Sequence, residues 1–241
     1  TTNGGIIRDT PVAAGSIFAV ITSNGMVHAF EPDSLAPLWN REFDSLRKGA
    51  LLTAADGLVI ASPDALIGVD PSTGSELWNT PLSHKPIAIT AMGDSIFLAA
   101  GSVIEKYSGD TGAKIWSIST TVDAEDTLLC SQDVLVRVSS DGTLERIDPE
   151  TGTIIWSSTG PVDPISTTVT GDRIAIVGVD QNLQIFDLGD GSALWAHRGQ
   201  TPWTATVFQG GKLVVSTQQG SLLIFDRKPL VGDLPAKAGP S

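Results

Sequence analysis

The sequence predicts an all-β protein, a six-bladed β-propeller whose blades are four-stranded antiparallel sheets. Three observations lead to this fold class. Tryptophans recur every 38 to 40 residues, a turn motif precedes each of them, and no stretch has helical periodicity. A four-strand unit repeated at this interval, nearly from end to end, is typical of propeller blades. The tryptophans of the repeat are Trp39, Trp78, Trp116, Trp156 and Trp195.

The turn before each tryptophan is clearest in the segment 147–156, which reads Ile-Asp-Pro-Glu-Thr-Gly-Thr-Ile-Ile-Trp. Asp148 and Pro149 favour a tight turn, and Gly152 supplies the positive φ that closes it. The spacing is therefore Asp, three residues, Gly, three residues, Trp. It recurs with Asp70 and Gly74 and with Asp187 and Gly191, and with substitutions at Ser108 and Gly112 and at Glu31 and Leu35.

Each blade is predicted to contain its strands in a fixed order. A small polar strand lines the central channel, and a Gly or Asp turn leads from it into an apolar second strand. A hairpin turn such as Asn24-Gly25 leads to the third strand, and the turn motif then leads to the outer, tryptophan-bearing strand. The first strands are expected at 6–12, 50–54, 87–91, 127–130, 165–170 and 204–208, and the second strands at 17–20, 58–60, 96–98, 134–136, 174–177 and 213–215.

We expect one domain, because the repeat runs through almost the whole chain. The sixth copy departs from the repeat, since Leu230 takes the Gly position and Leu234 the Trp position, amid Pro229 and Pro235. Its outer strand is therefore expected to be degenerate, and the sequence leaves open how a ring would be latched. The blades are predicted at 6–47, 48–85, 86–122, 123–162, 163–200 and 201–235, with a C-terminal tail at 236–241.

Composition disfavours several functional classes. The 241 residues include 27 acidic and 15 basic ones, and the resulting net charge of −12 disfavours nucleic acid or anionic lipid as a general partner. No apolar run is long enough to cross a bilayer, so we expect no transmembrane segment. Cys130 is the only cysteine, which excludes an internal disulfide. Because the chain begins at Thr1, we expect any export signal or anchor to lie outside the numbered residues.

At its Asp, Gly and Trp positions the chain resembles the pyrroloquinoline-quinone-like repeat family of β-propellers, whose blades are related in architecture to WD40 repeats. The match is closest at 69–78 and 147–156. The resemblance implies that each tryptophan packs between neighbouring blades, which suits a large ring with one N–H donor. It gives this structural docking role to Trp39, Trp78, Trp116, Trp156, Trp195, Asp70, Gly74, Asp148, Gly152, Asp187 and Gly191.

The same resemblance bears on cofactor and location. Quinoprotein members of the family are longer, eight-bladed enzymes with a calcium site, a catalytic Asp and commonly a vicinal Cys pair. This chain has six copies of the repeat and one cysteine, so we expect no cofactor. Members that bind no quinone serve as envelope scaffolds or extracellular sensor modules, which implies export to the periplasm or the cell surface.

No group of residues in the sequence indicates catalysis or metal binding. The segment 187–191 has the composition of a calcium loop, but Arg198 stands where that loop requires a Glu ligand, and the segment coincides with a repeat turn. His28, His84 and His197 are not spaced as zinc ligands, and no Gly-x-Ser-x-Gly motif occurs. We assign no catalytic, cofactor-binding or metal-binding residue.

The loops that leave the tryptophan strands carry an uneven distribution of charge. In a propeller these loops emerge on one face, where basic and acidic residues would form two sectors. Two interpretations are open: solvated loop charges, or a docking surface for an acidic partner. Trp203, which is off the repeat, is either an anchor on this face or a core residue of the sixth blade. The basic residues are Arg41, Arg47, Lys48, His84, Lys85, His197 and Arg198, and the acidic ones are Asp123, Glu125, Asp126 and Asp163.

These observations favour a non-catalytic, exported β-propeller that acts as a scaffold for a protein partner or senses a small ligand at one face. The alternative is an enzyme domain, quinoprotein-like or carbohydrate-active, that uses the mouth of the channel. A basic lining with paired carboxylates at that mouth would favour the enzyme.

Overall fold

The computed structural model describes residues 6–7, 11–43, 50–54, 57–100, 102–120 and 127–225. Regular structure within these residues consists of 23 β-strands in six antiparallel sheets. Five sheets have four strands, and the described part of the sixth has three. The prediction of an all-β chain with four-stranded antiparallel sheets is confirmed for those five. The chain divides into two compact units, Thr1–Asp123 (unit one) and Ala124–Ser241 (unit two).

Unit one contains sheets one to three, and in each of them the strands follow one another in chain order. Sheet one consists of β1 (Val12–Ala14), β2 (Ile17–Ile21), β3 (Met26–Phe30) and β4 (Pro37–Glu42). Sheet two consists of β5 (Ala50–Ala54), β6 (Gly57–Ala61), β7 (Ala65–Val69) and β8 (Glu76–Pro81). Sheet three consists of β9 (Ala88–Met92), β10 (Ser95–Ala100), β11 (Val103–Ser108) and β12 (Lys114–Ser119).

Unit two contains sheets four to six in the same arrangement. Sheet four consists of β13 (Thr127–Ser131), β14 (Val134–Val138), β15 (Thr143–Ile147) and β16 (Ile154–Thr159). Sheet five consists of β17 (Pro164–Thr170), β18 (Arg173–Gly178), β19 (Asn182–Asp187) and β20 (Ala193–Arg198). Sheet six consists of β21 (Trp203–Gln209), β22 (Lys212–Thr217) and β23 (Leu222–Phe225).

The core lies between neighbouring sheets within each unit. In sheets one to five the second and third strands are the most deeply buried, and they are rich in β-branched and large aliphatic residues. Ile17 of sheet one lies in the same core cluster as Leu58 of sheet two, and Val136 of sheet four in the same cluster as Ile176 of sheet five. Each such side chain contributes about 1.5–3 kcal/mol when it is fully buried.

A β-bulge recurs in the outer strands, one residue before the tryptophan. In sheet one Ala29 pairs with Trp39 and Phe30 pairs with Pro37, so that Leu38 has no partner across the strand. The same register shift occurs in sheets two to five. A bulge of this kind bends the strand and changes the direction of the side chains around it. The bulge residues Leu38, Leu77, Ile115 and Ile155 are consequently exposed.

The first strand differs from the prediction. It was expected at 6–12, whereas β1 is Val12–Ala14, and Ile7 forms only an isolated bridge with Thr22. The turn at Gly15 brings Ala14 directly opposite Ile17, so the hairpin starts close to the turn. The outer strand predicted for the sixth blade, with Leu230 and Leu234, lies outside the described residues.

Candidate functional site

The Asp turn of the repeat is held by hydrogen bonds from its own backbone. Oδ1 of Asp70 accepts the backbone N–H groups of Ser72 at 2.8 Å and Thr73 at 3.0 Å, and the amide of Gly74 donates to the Asp70 carbonyl at 2.8 Å. The Ser72 hydroxyl, followed by these two amides, lowers the pKa of the Asp70 carboxyl below its ordinary value. Asp148 accepts the equivalent amides of its own turn, and Asp187 accepts the amide of Gly189.

Each of the three repeat tryptophans for which the bond is described donates to the turn of the next sheet. The acceptor is the carbonyl of the residue directly after the Asp position of that turn. In sheet three Ser108 occupies the Asp position, and Gly109 is the acceptor. This hydrogen bond satisfies the indole N–H, the only donor of the side chain, when the ring is removed from solvent. The bonds run from Nε1 of Trp39 to Pro71 at 2.8 Å, of Trp78 to Gly109 at 3.0 Å and of Trp156 to Leu188 at 3.1 Å.

The same three rings lie directly on the glycine of that turn. A Cβ added to Gly74 would be 2.7 Å from the Trp39 ring, and real Cβ contacts are essentially never that short. Glycine is therefore required there for the ring to approach, in addition to its positive φ of 71°. The other two distances are 2.4 Å between Gly112 and Trp78 and 2.6 Å between Gly191 and Trp156.

Trp116 and Trp195 are described by their ring contacts. The Trp116 ring lies 5.9 Å from the ring of Phe97 in its own sheet. Trp195 is buried, stacks on His197 at 5.5 Å and meets Phe225 of sheet six at 5.1 Å. Four of the five repeat tryptophans are partly buried on the outermost strand of their sheet, and Trp195 is buried, with 8% of its surface exposed.

The residue two places after the tryptophan also faces the next sheet. Nη1 of Arg41 donates to the carbonyl of Gly74 at 2.5 Å, and the hydroxyl of Thr80 donates to the carbonyl of Gly112 at 2.8 Å. His197 occupies this position in sheet five and packs against Trp195 and Phe225. Two of the basic residues predicted to face a partner, Arg41 and His197, therefore contact the seam between sheets.

Trp203 is a core residue and offers no exposed anchor. It is 2% exposed and belongs to the core cluster shared by sheets five and six. Its Nε1 donates to the carbonyl of Gln181 at 3.1 Å, and the glycine at position 199 leaves room for its ring. The structure therefore corrects the anchor hypothesis, because a ring buried between two sheets presents no surface to a partner.

The remaining predicted partner residues are distributed over both units. His84 and Lys85 are exposed in the connection from β8 to β9, and Arg198 is exposed at the end of β20. Asp163 is exposed in the connection before β17. Arg47, Lys48, Asp123, Glu125 and Asp126 lie outside the described residues.

A groove of about 130 Å³ lies beside Lys85 in unit one. Its walls are the turn between β6 and β7 and the connection from β8 to β9, which lie at the same end of sheet two. Pro63, Pro86 and Ile87 contribute its apolar wall and Ser62 a polar group, and Ile87 is 45% exposed. The groove thus combines an exposed aliphatic side chain with one cation.

Two ion pairs between neighbouring strands were not foreseen from the sequence; the pair in sheet four is buried, whereas the lysine of the pair in sheet three is 45% exposed. In sheet three, Nζ of Lys114 and the hydroxyl of Tyr107 each lie 2.7 Å from the carboxylate of Glu105. Burial raises the pKa of Glu105, but the two hydrogen bonds together with the positive charges of Lys114 and His84 outweigh it and leave the pKa lowered. In sheet four, Nη1 of Arg137 donates to Oε2 of Glu145 at 2.7 Å. Glu105 and Glu145 each lie one residue before the residue that pairs with the tryptophan of the outer strand. This shared position in the strand register is the feature from which the two carboxylates could have been found.

The described residues provide neither a metal cluster nor a membrane-spanning helix. They contain no cluster of three or more His, Cys, Asp or Glu side chains placed to hold a metal ion. They also contain no helix of the length and apolar character needed to span a bilayer.

Comparisons with known proteins relate the whole repeat region to one family. A family model described as outer membrane protein assembly factor BamB matches residues 2–85 and 64–229. No curated protein sequence matches the chain.

Several solved structures share the fold at low sequence identity. BamB from Moraxella catarrhalis is 19% identical with a TM-score of 0.74, over 92% of this chain and 74% of that one. The Pan2 WD40 domain of Neurospora crassa is 15% identical with a TM-score of 0.73, over 93% and 76%. The computationally designed protein Ika8 is 17% identical with a TM-score of 0.77, over 90% and 70%.

Proposed function

The chain belongs to the family of the outer membrane protein assembly factor BamB, and from this membership we propose that it is an exported, non-catalytic propeller that serves as a scaffold for a protein partner. The match to the family model over residues 2–85 and 64–229 is the observation that carries the proposal. It also confirms the resemblance to propellers with pyrroloquinoline-quinone-like repeats. The family description names an assembly factor, a role that is exercised on other proteins.

We further propose that the six sheets form the six blades of one propeller. The strand order within each sheet and the three seams in which a tryptophan donates to the turn of the next sheet support this part of the proposal. Radial repetition of one seam is the arrangement by which propellers protect the edges of their sheets.

The partner would bind in unit one at the end of sheet two where Lys85 follows the outer strand β8. The groove beside Lys85 offers what a docking site needs: an exposed aliphatic residue, Ile87, with a cation at its rim. Lys85 places a positive charge at the groove in a chain of net charge −12, so an acidic partner would be attracted to this position. The rigid sheets hold the groove in place, as is common for binding loops.

Site-specific photo-cross-linking in the source cells tests this proposal. A photoreactive phenylalanine analogue replaces Ile87 in one variant and Ile115, on the outer strand of sheet three, in a control variant. The two positions are 45% and 52% exposed, so accessibility alone does not distinguish them. We expect one envelope protein to be cross-linked from position 87 and not from position 115. Cell fractionation with the same variants tests export.

The variant Lys85→Glu, combined with the analogue at position 87, tests the charge. The cross-link is expected to weaken strongly, because the reversed charge repels an acidic partner. Equal cross-linking from both positions, or a cross-link insensitive to Lys85→Glu, would show that the groove is not the docking site.

A further inference from the structure

A second cavity lies in unit two, between the turn that joins β17 to β18 and the turn that joins β21 to β22. Its volume is about 160 Å³, and it opens at the end of the seam between sheets five and six. Phe208, Leu213 and Phe225 form apolar walls, while Thr170 and Arg173 contribute polar groups. The cavity is independent of the groove beside Lys85, which belongs to unit one.

Arg173 is the unusual residue of this cavity. Its side chain is only 24% exposed, and its one ionic contact within the described part of the chain is with Asp172, at 3.7 Å between Nε and Oδ1. That distance is too long for a hydrogen bond, and Nε is buried without a hydrogen-bond partner among the described residues. The residue opposite Arg173 in register is Asp187, whose Oδ1 accepts the amide of Gly189 instead. A guanidinium group in this state retains donors for an acceptor that enters the cavity.

The repeat gives no structural reason for an arginine at this position. The equivalent residue is Ser95 at the start of β10 and Val134 at the start of β14, and both sheets form with the same register. Lys212 is the equivalent residue of sheet six, and it does not line the cavity. An arginine that the sheet does not need, in the wall of a cavity with two aromatic rings, indicates a ligand.

We propose that this cavity binds a monocarboxylate with a small apolar body. A guanidinium group recognises a carboxylate through two parallel charge-assisted hydrogen bonds, which suits the donors of Arg173. The apolar walls fit the rest of the ligand, and an apolar protein cavity of about 150 Å³ is known to hold a benzene ring. The ligand is a free organic acid or the C-terminal residue of a peptide, since both present this chemistry. The site goes beyond the proposed scaffold function and does not depend on it.

Titration with benzoate, followed by NMR chemical shifts and calorimetry, tests the site. We expect saturable binding, with shifts concentrated at residues 170–173 and 208–213. Benzamide, which has the same ring and no charge, is expected to bind at least tenfold more weakly. The peptide Ala-Ala-Val with a free or an amidated C-terminus distinguishes a chain end from a free acid. Binding of the free peptide alone, of benzoate alone or of both supports the shared chemistry.

Two variants of equal charge change separate recognition by Arg173 from a general electrostatic effect. Arg173→Gln is expected to weaken benzoate binding about tenfold or more, because the charge-assisted bonds are lost. Lys212→Gln removes one positive charge from the equivalent position of sheet six and is expected to change the affinity less than twofold. Circular dichroism establishes that both variants remain folded. The proposal is overturned if no probe saturates, or if Arg173→Gln binds benzoate as well as Lys212→Gln.

Discussion

Replacement of Gly191 by alanine tests the contact between a tryptophan and the turn of the next sheet. Gly191 has a φ of 73°, and an added Cβ would lie 2.6 Å from the ring of Trp156. Gly171, in the same sheet, is the matched control: it also has a positive φ, 43°, but an added Cβ would meet no atom within 4 Å. The two variants therefore share the backbone strain and differ in the clash.

The expected magnitudes follow from these two contributions. The left-handed conformation costs a residue with a Cβ about 1–2 kcal/mol, and replacing glycine recovers about 0.5–1 kcal/mol of backbone entropy. Gly171→Ala is therefore expected to lower the free energy of unfolding by about 1 kcal/mol. Overpacking against Trp156 adds about 1–3 kcal/mol, so the loss for Gly191→Ala is about 2–4 kcal/mol.

Urea denaturation followed by circular dichroism measures both losses, and a double-mutant cycle with Trp156→Ala isolates the contact. In the Trp156→Ala background the clash is absent, so Gly191→Ala is expected to cost no more than about 1 kcal/mol. The reasoning is refuted if Gly191→Ala costs no more than Gly171→Ala, or if its cost is the same with and without Trp156.

Three further predictions concern single sites. Leu35 occupies the glycine position of its turn with a φ of 54°, a strained conformation for a residue with a Cβ. Leu35→Gly is therefore expected to raise the free energy of unfolding by about 0.5–1 kcal/mol. A lower free energy of unfolding in urea denaturation would contradict this strain. Glu145→Ala removes the carboxylate that lies 2.7 Å from the buried Arg137 guanidinium and is expected to lower the free energy of unfolding by about 3–5 kcal/mol. Replacing both residues by apolar ones should lower it less, because no buried charge is then left without its partner. Equal losses for the single and the double variant would argue against the pair. The pKa of Asp70 is lowered on folding, so its carboxylate stabilises the fold above the unfolded pKa, and this contribution disappears as pH falls through the folded pKa. The stability gap between wild type and Asp70→Asn should therefore shrink below about pH 4, and a gap independent of pH would exclude this role.

The strands and turns could be predicted because their signals are local. Alternating apolar residues mark a strand, and an Asp followed by Gly four residues later marks a turn whose hydrogen bonds lie within it, as at Asp70 and Asp148. Five of the six predicted first strands lie within one residue of the observed bounds. The exception is β1, where only three residues pair beside a tight turn.

Contacts between sheets were harder to predict, because they depend on the direction of each side chain. Arg41 and His197 were assigned to loops from their position after a tryptophan, but both face the seam because they lie two residues beyond it on the same strand. The cavity at Arg173 depends on two turns that are nearly 40 residues apart in the sequence. Spacing in one dimension does not report such a juxtaposition.

The central claim, a docking site for an acidic protein partner beside Lys85, is tested most directly by association kinetics. The partner identified by cross-linking is bound to wild type and to Lys85→Glu at a series of salt concentrations. We expect Lys85→Glu to associate severalfold more slowly at low salt, with a flatter dependence on salt, because charge steers the encounter. The melting temperature should hardly change, since exposed charges contribute little to stability. Equal association rates for wild type and Lys85→Glu at low salt would contradict the claim.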